Sequence, residues 1–342
     1  MPRPTAWCSK GAIFGCSALR RVFDRAEPAF VRAIELDSEF AQAHAGLAEV
    51  CVIRGSYAAQ DGASANSPAI KEDMRRARTE AERAIALDPT LPDSYPALGY
   101  WFMFEKRYPE ADRQLQKTLE LNPNYMMGHS WRAVLRLAQG RLDDGLRGLE
   151  KTGELDPLWA VNLATLGEVL TYASRFAEAL KITDRVMALR PDIYVPSLGY
   201  RARALLALGR KADAIETARL IRTHLAKKPR READASAIWV LREAGLPREA
   251  AAYAEELFKT LPDPSHQRGF ALGALGRFDE ALPYLEETPQ SHLRRLYWDS
   301  ILDPWRNDPR FTQLIEKLGC VEEYQLARET LARMLKEQAA KK

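Results

Sequence analysis

The stretch "LELNPNYMMGH", residues 119–129, contains a Leu-x-Pro step that recurs along the chain at a constant interval. Each copy follows the previous one by 34 residues. A period of this length indicates an array of equal supersecondary units, each burying its apolar face against the next. The four copies are Leu87-Asp88-Pro89, Leu121-Asn122-Pro123, Leu155-Asp156-Pro157 and Leu189-Arg190-Pro191.

Small residues share this period, and apolar residues surround them at helical spacing. Ala111, Leu115 and Leu119 stand at i, i+4 and i+8, which is the stripe of an amphipathic helix. Glycines precede comparable small positions by five residues, where a helix can end in a left-handed residue. The pattern predicts an all-α chain of helix, tight turn, helix and proline turn. The small residues are Ala77, Ala111, Gly145 and Ala179, and the glycines are Gly140, Gly209, Gly245 and Gly276.

These features resemble the tetratricopeptide repeat (TPR) family, whose pattern has an early Leu-Gly, a later Ala-x-x-x-bulky step and a proline near the end. Residues 92–125 fit this pattern, and residues 160–193 fit it again except at Thr183, where a bulky residue is expected. The resemblance implies a TPR α-solenoid, a right-handed superhelix of helix-turn-helix repeats. The residues that carry it are Leu98-Gly99, Phe102, Ala111, Leu115 and Pro123 in the first copy, and Leu166-Gly167, Leu170, Ala179 and Pro191 in the second.

The repeats divide the chain into three parts. Residues 1–20 form a degenerate N-terminal segment, residues 21–290 hold about seven repeats after a leading half repeat, and residues 291–342 form C-terminal capping helices. The first full repeat carries an insertion near 56–72. Ser67 followed by Pro68 is typical of a helix start, so the second helix of that repeat should begin there.

The tail "DSILDPWRNDPRFTQLIEKLG", residues 299–319, contains a second recognisable pattern. It resembles the ending of TPR regions that follow effector domains in bacterial class III adenylate cyclases, winged-helix regulators and Ser/Thr kinases. Asp308 and Pro309 can start a helix there, Gly319 can end it, and residues 321–338 can form a further helix. The chain is therefore either a free-standing repeat protein or a regulatory, bacterial signalling region separated from a fused or cognate effector domain. Met1 is either the true start or a position inside a longer protein.

Composition excludes several classes of partner. The 50 Lys and Arg nearly balance the 47 Asp and Glu, so no nucleic-acid partner is expected. No segment approaches the roughly 20 apolar residues that span a bilayer. Four cysteines in a chain of 342 residues are typical of a reducing compartment, and we expect a cytoplasmic protein.

The sequence contains no convincing catalytic, cofactor or metal constellation. Phosphate-loop, dinucleotide, nucleophile-elbow and zinc-helix motifs are absent, and the five histidines lack a second ligand at metal spacing. Asp143-Asp144 and Asp279-Glu280 each precede a predicted helix, where acids favour the helix N-terminus. The basic run at 227–231 falls in a turn and is interpreted as a solvated linker. We therefore predict a non-enzyme with no cofactor and no metal.

The TPR resemblance implies that first helices line a concave groove that binds a protein or peptide. Tyrosine and arginine are frequent anchors at such surfaces. Tyr100 and Tyr172 can serve either as groove residues or as packing residues. The clamp by which some chaperone-linked TPR domains hold a terminal carboxylate is not expected, because Pro96, Ser130 and Ala164 occupy its lysine position. The predicted groove residues are Tyr100, Met103, Phe104, Ser130, Val134, Glu168, Thr171, Tyr172 and Arg203.

Overall fold

The protein is described from a computed structural model that covers residues 16–60, 67–189, 195–225, 231–261, 263–289 and 292–340. Helices connected by short turns make up these residues, and no strand occurs among them. The chain forms two compact units, residues 1–139 with 144–162 and residues 140–143 with 163–342. The predicted all-α fold is confirmed.

The first unit is a succession of helices whose apolar faces form its core. One cluster of this core joins the first three helices to the fourth, through residues such as Phe30, Leu47, Met74 and Leu98. The helices are α1 (Cys16–Leu36), α2 (Ala41–Gln60), α3 (Pro68–Leu87), a 3-10 turn (Pro92–Ser94), α4 (Tyr95–Phe104), α5 (Tyr108–Leu121), α6 (Met126–Ala138) and α7 (Leu142–Leu155), whose first two residues are assigned to the second unit.

The second unit continues the hairpins and then ends in a different arrangement of shorter elements. Its helices are α8 (Ala160–Tyr172, of which residues 163–172 belong here), α9 (Phe176–Leu189), α10 (Val195–Ala207), α11 (Lys211–Leu225), α12 (Arg231–Glu243), α13 (Pro247–Phe258), α14 (His266–Ala274), α15 (Phe278–Leu285), α16 (Leu293–Trp298), a 3-10 helix (Ser300–Trp305), α17 (Pro309–Lys317) and α18 (Val321–Ala340).

The Leu-x-Pro step forms a turn that its middle residue stabilises. The side-chain oxygen of Asp88 accepts a hydrogen bond from the backbone N–H of Thr90 at 2.9 Å, and Asn122 accepts one from Asn124 at 3.1 Å. Asp156 repeats the contact with the backbone of Leu158 at 3.0 Å. Asp and Asn favour such turns because their short side chains reach the backbone two residues later. The fourth copy includes residues 190–191, which lie outside the described residues.

The tight turns inside five of the described hairpins share one conformation, with or without glycine. Gly209, Gly245 and Gly276 have φ of 77–82°, as predicted, and Lys106 and Ser174 take the same place with φ of 57°. The residue that follows donates its backbone N–H five residues back, a bond that satisfies a carbonyl at the helix end. These bonds join Arg107 to Phe102, Arg175 to Leu170, Arg210 to Leu205, Leu246 to Leu241 and Arg277 to Leu272.

Small residues allow the two helices of a hairpin to approach closely. A Cβ placed on Gly99 would lie 2.9 Å from Cγ of Leu115, and one on Gly167 would lie 2.9 Å from Cγ2 of Thr183. Thr183, the departure from the TPR pattern, is buried, and its hydroxyl donates to the carbonyl of Ala179 at 2.9 Å. The smaller residue therefore packs against glycine without an unsatisfied polar atom.

The helix starts expected at Ser67 and Asp308 are confirmed. Ser67 accepts a hydrogen bond from the backbone N–H of Ile70 as α3 begins at Pro68, and Asp308 accepts one from the N–H of Arg310 as α17 begins at Pro309. Gly319 follows α17 with φ of 61°, and α18 includes the helix predicted at 321–338. At the N-terminus, α1 runs continuously through the position 20/21 boundary, and residues 1–15 lie outside the described part.

Candidate functional site

The predicted groove residues fall on two surfaces, one in each unit. In the first unit they lie on α4 and α6, the first helices of two hairpins; we name this the α4/α6 surface. In the second unit they lie on α8 and α10, and we name this the α8/α10 surface. The α4/α6 surface comprises Tyr100, Met103, Phe104, Ser130, Trp131 and Val134, and the α8/α10 surface comprises Glu168, Thr171, Tyr172, Tyr200 and Arg203.

Aromatic contacts organise the α4/α6 surface. The Tyr100 ring meets the Trp131 ring edge to face, with centroids 4.7 Å apart. Such a pair stabilises by about 0.5–1.5 kcal/mol beyond its buried area. Tyr100 is buried and Trp131 is half-buried, so the tyrosine supports the exposed part of the tryptophan. Trp131 was not among the residues predicted from the sequence. Its position between the predicted groove residues Ser130 and Val134 could have identified it.

Apolar side chains remain half-buried beside this pair. Met103 and Phe104 pack against the core of the first unit and stay partly accessible, and Val134 is half-buried on α6. Val134 lies three residues after Trp131, so the two share a helix face. Ser130, by contrast, is buried. This surface therefore offers apolar contact area held by a rigid core.

Charged groups lie at the borders of these aromatic helices. The Arg78 guanidinium lies 4.5 Å from the Trp101 ring centroid, and Arg107 lies 4.6 Å from that of Phe102. On α6, Arg136 and Arg132 both donate to Asp112 of α5. Burial raises the pKa of Asp112, but the hydrogen bonds and charges of these two arginines outweigh it and leave the pKa lowered.

The α8/α10 surface is covered by the end of its own unit. Glu168, Thr171, Tyr172 and Arg203 are each 5% exposed or less. Arg294 donates to Glu168 at 2.9 Å, and Arg203 donates to Asp299 at 2.9 Å and to the Ser300 hydroxyl at 2.8 Å. The Tyr172 and Trp298 ring centroids are 6.2 Å apart. The predicted residues thus come together, with residues 294–300 as their contact.

Burial and charge give this cluster an unusual ionisation. Burial raises the pKa of Tyr172 well above its usual range, and the charges of Glu168 and Asp299 raise it further. Burial also raises the pKa of Asp299, but the positive charges of Arg203 and Arg295 and the Ile301 N–H outweigh it, so that its pKa is lowered. Asp299 is therefore a buried carboxylate whose charge its arginines compensate.

The other polar candidates have local contacts. His44 lies 2.6 Å from Glu80, and His129 lies 2.8 Å from the carbonyl of Pro123. Asp279 accepts from Arg310, and Asp143 accepts from Arg333 of α18 at 2.7 Å. Within the described ranges, no three His, Cys, Asp or Glu side chains converge as metal ligands. The basic run at 227–231 lies almost wholly outside them.

None of the helices in the described ranges combines the length and the hydrophobicity that a membrane span requires.

Comparisons with known proteins agree on the repeat type. A family model described as tetratricopeptide repeat matches residues 18–60. Hsp70-Hsp90 organizing protein 3 of Arabidopsis thaliana is 28% identical over 109 residues, which are 32% of this chain and 20% of that protein. This chain thus spans about a fifth of the length of that curated relative.

Solved structures extend the agreement over most of the fold. A tetratricopeptide repeat protein from Parabacteroides merdae superposes with a TM-score of 0.52 at 13% identity, covering 79% of this chain and 98% of that one. PilW, a type IV pilus biogenesis factor, superposes with a TM-score of 0.50 at 15% identity, covering 66% and 98%. At such identities the likeness concerns the fold alone: this chain has the all-α fold of a tetratricopeptide repeat solenoid.

Proposed function

We propose that this protein is a non-catalytic adaptor that binds a partner protein or peptide on the first-helix faces of its repeats. TPR proteins mediate protein–protein interactions, and the family model supports that general role here. The observation that carries the proposal is the α4/α6 surface, where Met103, Phe104, Trp131 and Val134 stay half-buried on a rigid core. Large apolar side chains fixed in this way lose little conformational entropy on binding.

The partner of this surface is expected to be a protein or peptide that buries apolar side chains against Trp131 and Phe104. A terminal carboxylate held by a lysine clamp is not proposed, because Pro96, Ser130 and Ala164 occupy the clamp's lysine position. The relative named for organizing Hsp70 and Hsp90 supports an adaptor role. Cys51 is a buried free thiol, which supports a reducing, cytoplasmic setting.

The alternative role, a regulatory region of a cyclase-like, kinase-like or winged-helix signalling protein, depends on the pattern in residues 299–319. In the structure these residues pack within their own unit: Asp299 binds Arg203, and Trp305 stacks on Phe278 with ring centroids 5.0 Å apart. That packing gives the pattern a structural role in the chain itself. We therefore prefer the adaptor.

A capture experiment tests the adaptor proposal. Lysate of the source organism is passed over the wild-type chain and over a Phe104→Ala, Val134→Ala variant, and each captured protein is then purified and its affinity measured. Truncation of these two side chains should lower the affinity for the genuine partner at least about tenfold. A loss of about 1.4 kcal/mol in binding free energy corresponds to that factor.

The matched control is Leu158→Ala, which removes a leucine that is 65% exposed in the same unit and is not one of the residues of this surface. It should bind as the wild type does. Equal affinity for wild type and the double variant, at equal helicity and thermal stability, would contradict the assignment of the α4/α6 surface.

A further inference from the structure

A segment of the chain itself packs on the α8/α10 surface through side chains of complementary charge. Residues 293–300, named here the clasp, consist of α16 and the first residues after it. The clasp contacts α8 and α10 although 126 residues separate Arg294 from Glu168. It reaches this surface by folding back rather than as the next hairpin of the array.

Three side chains of the clasp match three side chains of the surface. Arg294 pairs with Glu168, as its Nε lies 2.9 Å from one carboxylate oxygen and its Nη2 lies 3.2 Å from the other. Asp299 pairs with Arg203. The Trp298 ring is tilted by 38° against the ring of Tyr172, whose hydroxyl donates to Glu168 at 3.1 Å. A cation, an aromatic ring and a carboxylate thus stand at i, i+4 and i+5 of the clasp.

The surface residues depend on this match. Charges of the clasp compensate the buried charges of Glu168 and Arg203, and removal of the partner of a buried charge is strongly destabilising. Paired buried charges add little net stability over apolar residues, but they discriminate strongly between correct and incorrect partners. These charge pairs therefore determine which segment docks on α8 and α10.

We propose that the clasp is an intramolecular ligand of the α8/α10 surface, and that a partner reaches this surface only with a segment that presents the same cation, aromatic ring and carboxylate. This inference rests on the proposed adaptor function and adds its regulation. The α4/α6 surface is open for binding, and the α8/α10 surface is occupied until a segment of this chemistry replaces the clasp.

Charge exchange in the chain of 342 residues tests the inference. The probe is a fluorescein-labelled synthetic peptide with the sequence of residues 292–303, and its binding is followed by fluorescence anisotropy. Because Arg294→Glu opposes Glu168, the clasp should dock less often, and the native peptide should bind this variant at least about tenfold more tightly than wild type. The Glu168→Arg chain should instead prefer a peptide that carries Arg294→Glu.

Two further variants make the result decisive. Arg310→Glu reverses a charge that pairs with Asp308 and Asp279 and not with the α8/α10 surface, so it should bind the peptide as weakly as wild type. Arg294→Gln removes the charge without adding repulsion and should show an intermediate gain.

Three results would overturn the inference. The first is a folded Arg294→Glu chain that binds the peptide no better than wild type. The second is a Glu168→Arg chain without the reversed peptide preference. The third is the failure of both Arg294 variants to fold, which would make the clasp a permanent part of the fold. Because the probe is the chain's own sequence, these results are independent of capture by the α4/α6 surface.

Discussion

Arg203 on α10 donates through Nη1 to Oδ1 of Asp299 over 2.9 Å, across 96 residues of sequence, and neither side chain is more than 4% exposed. Arg295 approaches the other oxygen of the same carboxylate at 3.2 Å. One buried carboxylate therefore serves two buried arginines. Removal of its charge takes a counter-charge away from both cations at a buried site.

The first prediction concerns Asp299→Asn. We expect this change to lower the free energy of unfolding by about 3–5 kcal/mol, because it removes one member of a buried charge cluster. Urea unfolding followed by circular dichroism measures the effect. The control is Asp303→Asn, whose carboxylate pairs with Arg306 but is 51% exposed. It should cost at most about 1 kcal/mol. A loss no greater for Asp299→Asn than for Asp303→Asn would contradict the role of the buried pair.

The second prediction concerns pH. The pKa of Asp299 is lower in the folded chain than in the unfolded chain, so this carboxylate stabilises the fold above the unfolded pKa of about 3.9. The contribution is lost as the pH falls through and below that value. Between pH 5 and pH 3 the wild type should therefore lose more free energy of unfolding than Asp299→Asn, as measured by urea unfolding at each pH. Parallel curves would show that Asp299 has no part in acid unfolding.

The third prediction uses two glycines with the same backbone conformation. Gly140 has φ of 76° and Gly209 has φ of 77°. A Cβ on Gly140 would lie 2.1 Å from the carbonyl oxygen of Glu323 on α18, whereas one on Gly209 would meet nothing within 4 Å. Gly209→Ala should lower the free energy of unfolding by about 1–2 kcal/mol, because alanine disfavours the left-handed conformation.

Gly140→Ala should lower the free energy of unfolding by at least about 1 kcal/mol more than Gly209→Ala, since overpacking of this kind displaces α18. Thermal unfolding compares the two variants, and hydrogen exchange of residues 321–340 reports on α18. Faster exchange there is expected in Gly140→Ala only. Equal cost and equal exchange in both variants would show that α18 does not pack on this turn as described.

The repeat pattern predicted the hairpins, their turns and their caps because those features are local. A residue such as Ser67 or Asp308 caps the helix that follows it in sequence, and a proline period fixes the helices between its copies. The contact of Arg294 with Glu168 has no such signal. In a stacked array each repeat is expected to contact its neighbours only. The repeat pattern does not indicate that two opposite charges 126 residues apart form a pair.

The sequence identified Tyr172 and Arg203 as candidates through their repeat positions, and the structure places both beneath the clasp. Position in the repeat predicts which helix face a residue occupies. It does not predict which other segment of the chain lies on that face, because this depends on how residues 293–340 fold back. The binding roles of all nine predicted groove residues remain predictions.

The last prediction concerns the reactivity of Cys51 on α2. This thiol is fully buried, and burial raises its pKa to about 12 although the positive charges of Arg54 and Arg76 act in the opposite direction. Because the thiolate is the species that alkylates, Cys51 should react with iodoacetamide at pH 8 at least about 100-fold more slowly in the folded chain than in urea, through transient opening. The residue is identified by mass spectrometry of the digested protein.

Leu36→Cys supplies the control, because position 36 lies in the same unit and its leucine is 72% exposed. This added thiol should react at the rate of an unstructured cysteine under the same conditions. Arg54 on α2 donates hydrogen bonds to Glu27 on α1 and to Asp73 on α3. Labelling of Cys51 as fast as that of the added cysteine would mean that α1, α2 and α3 open frequently, and that these bonds do not hold them together. Slow labelling that accelerates only near the urea midpoint would place Cys51 in the cooperative core of the first unit.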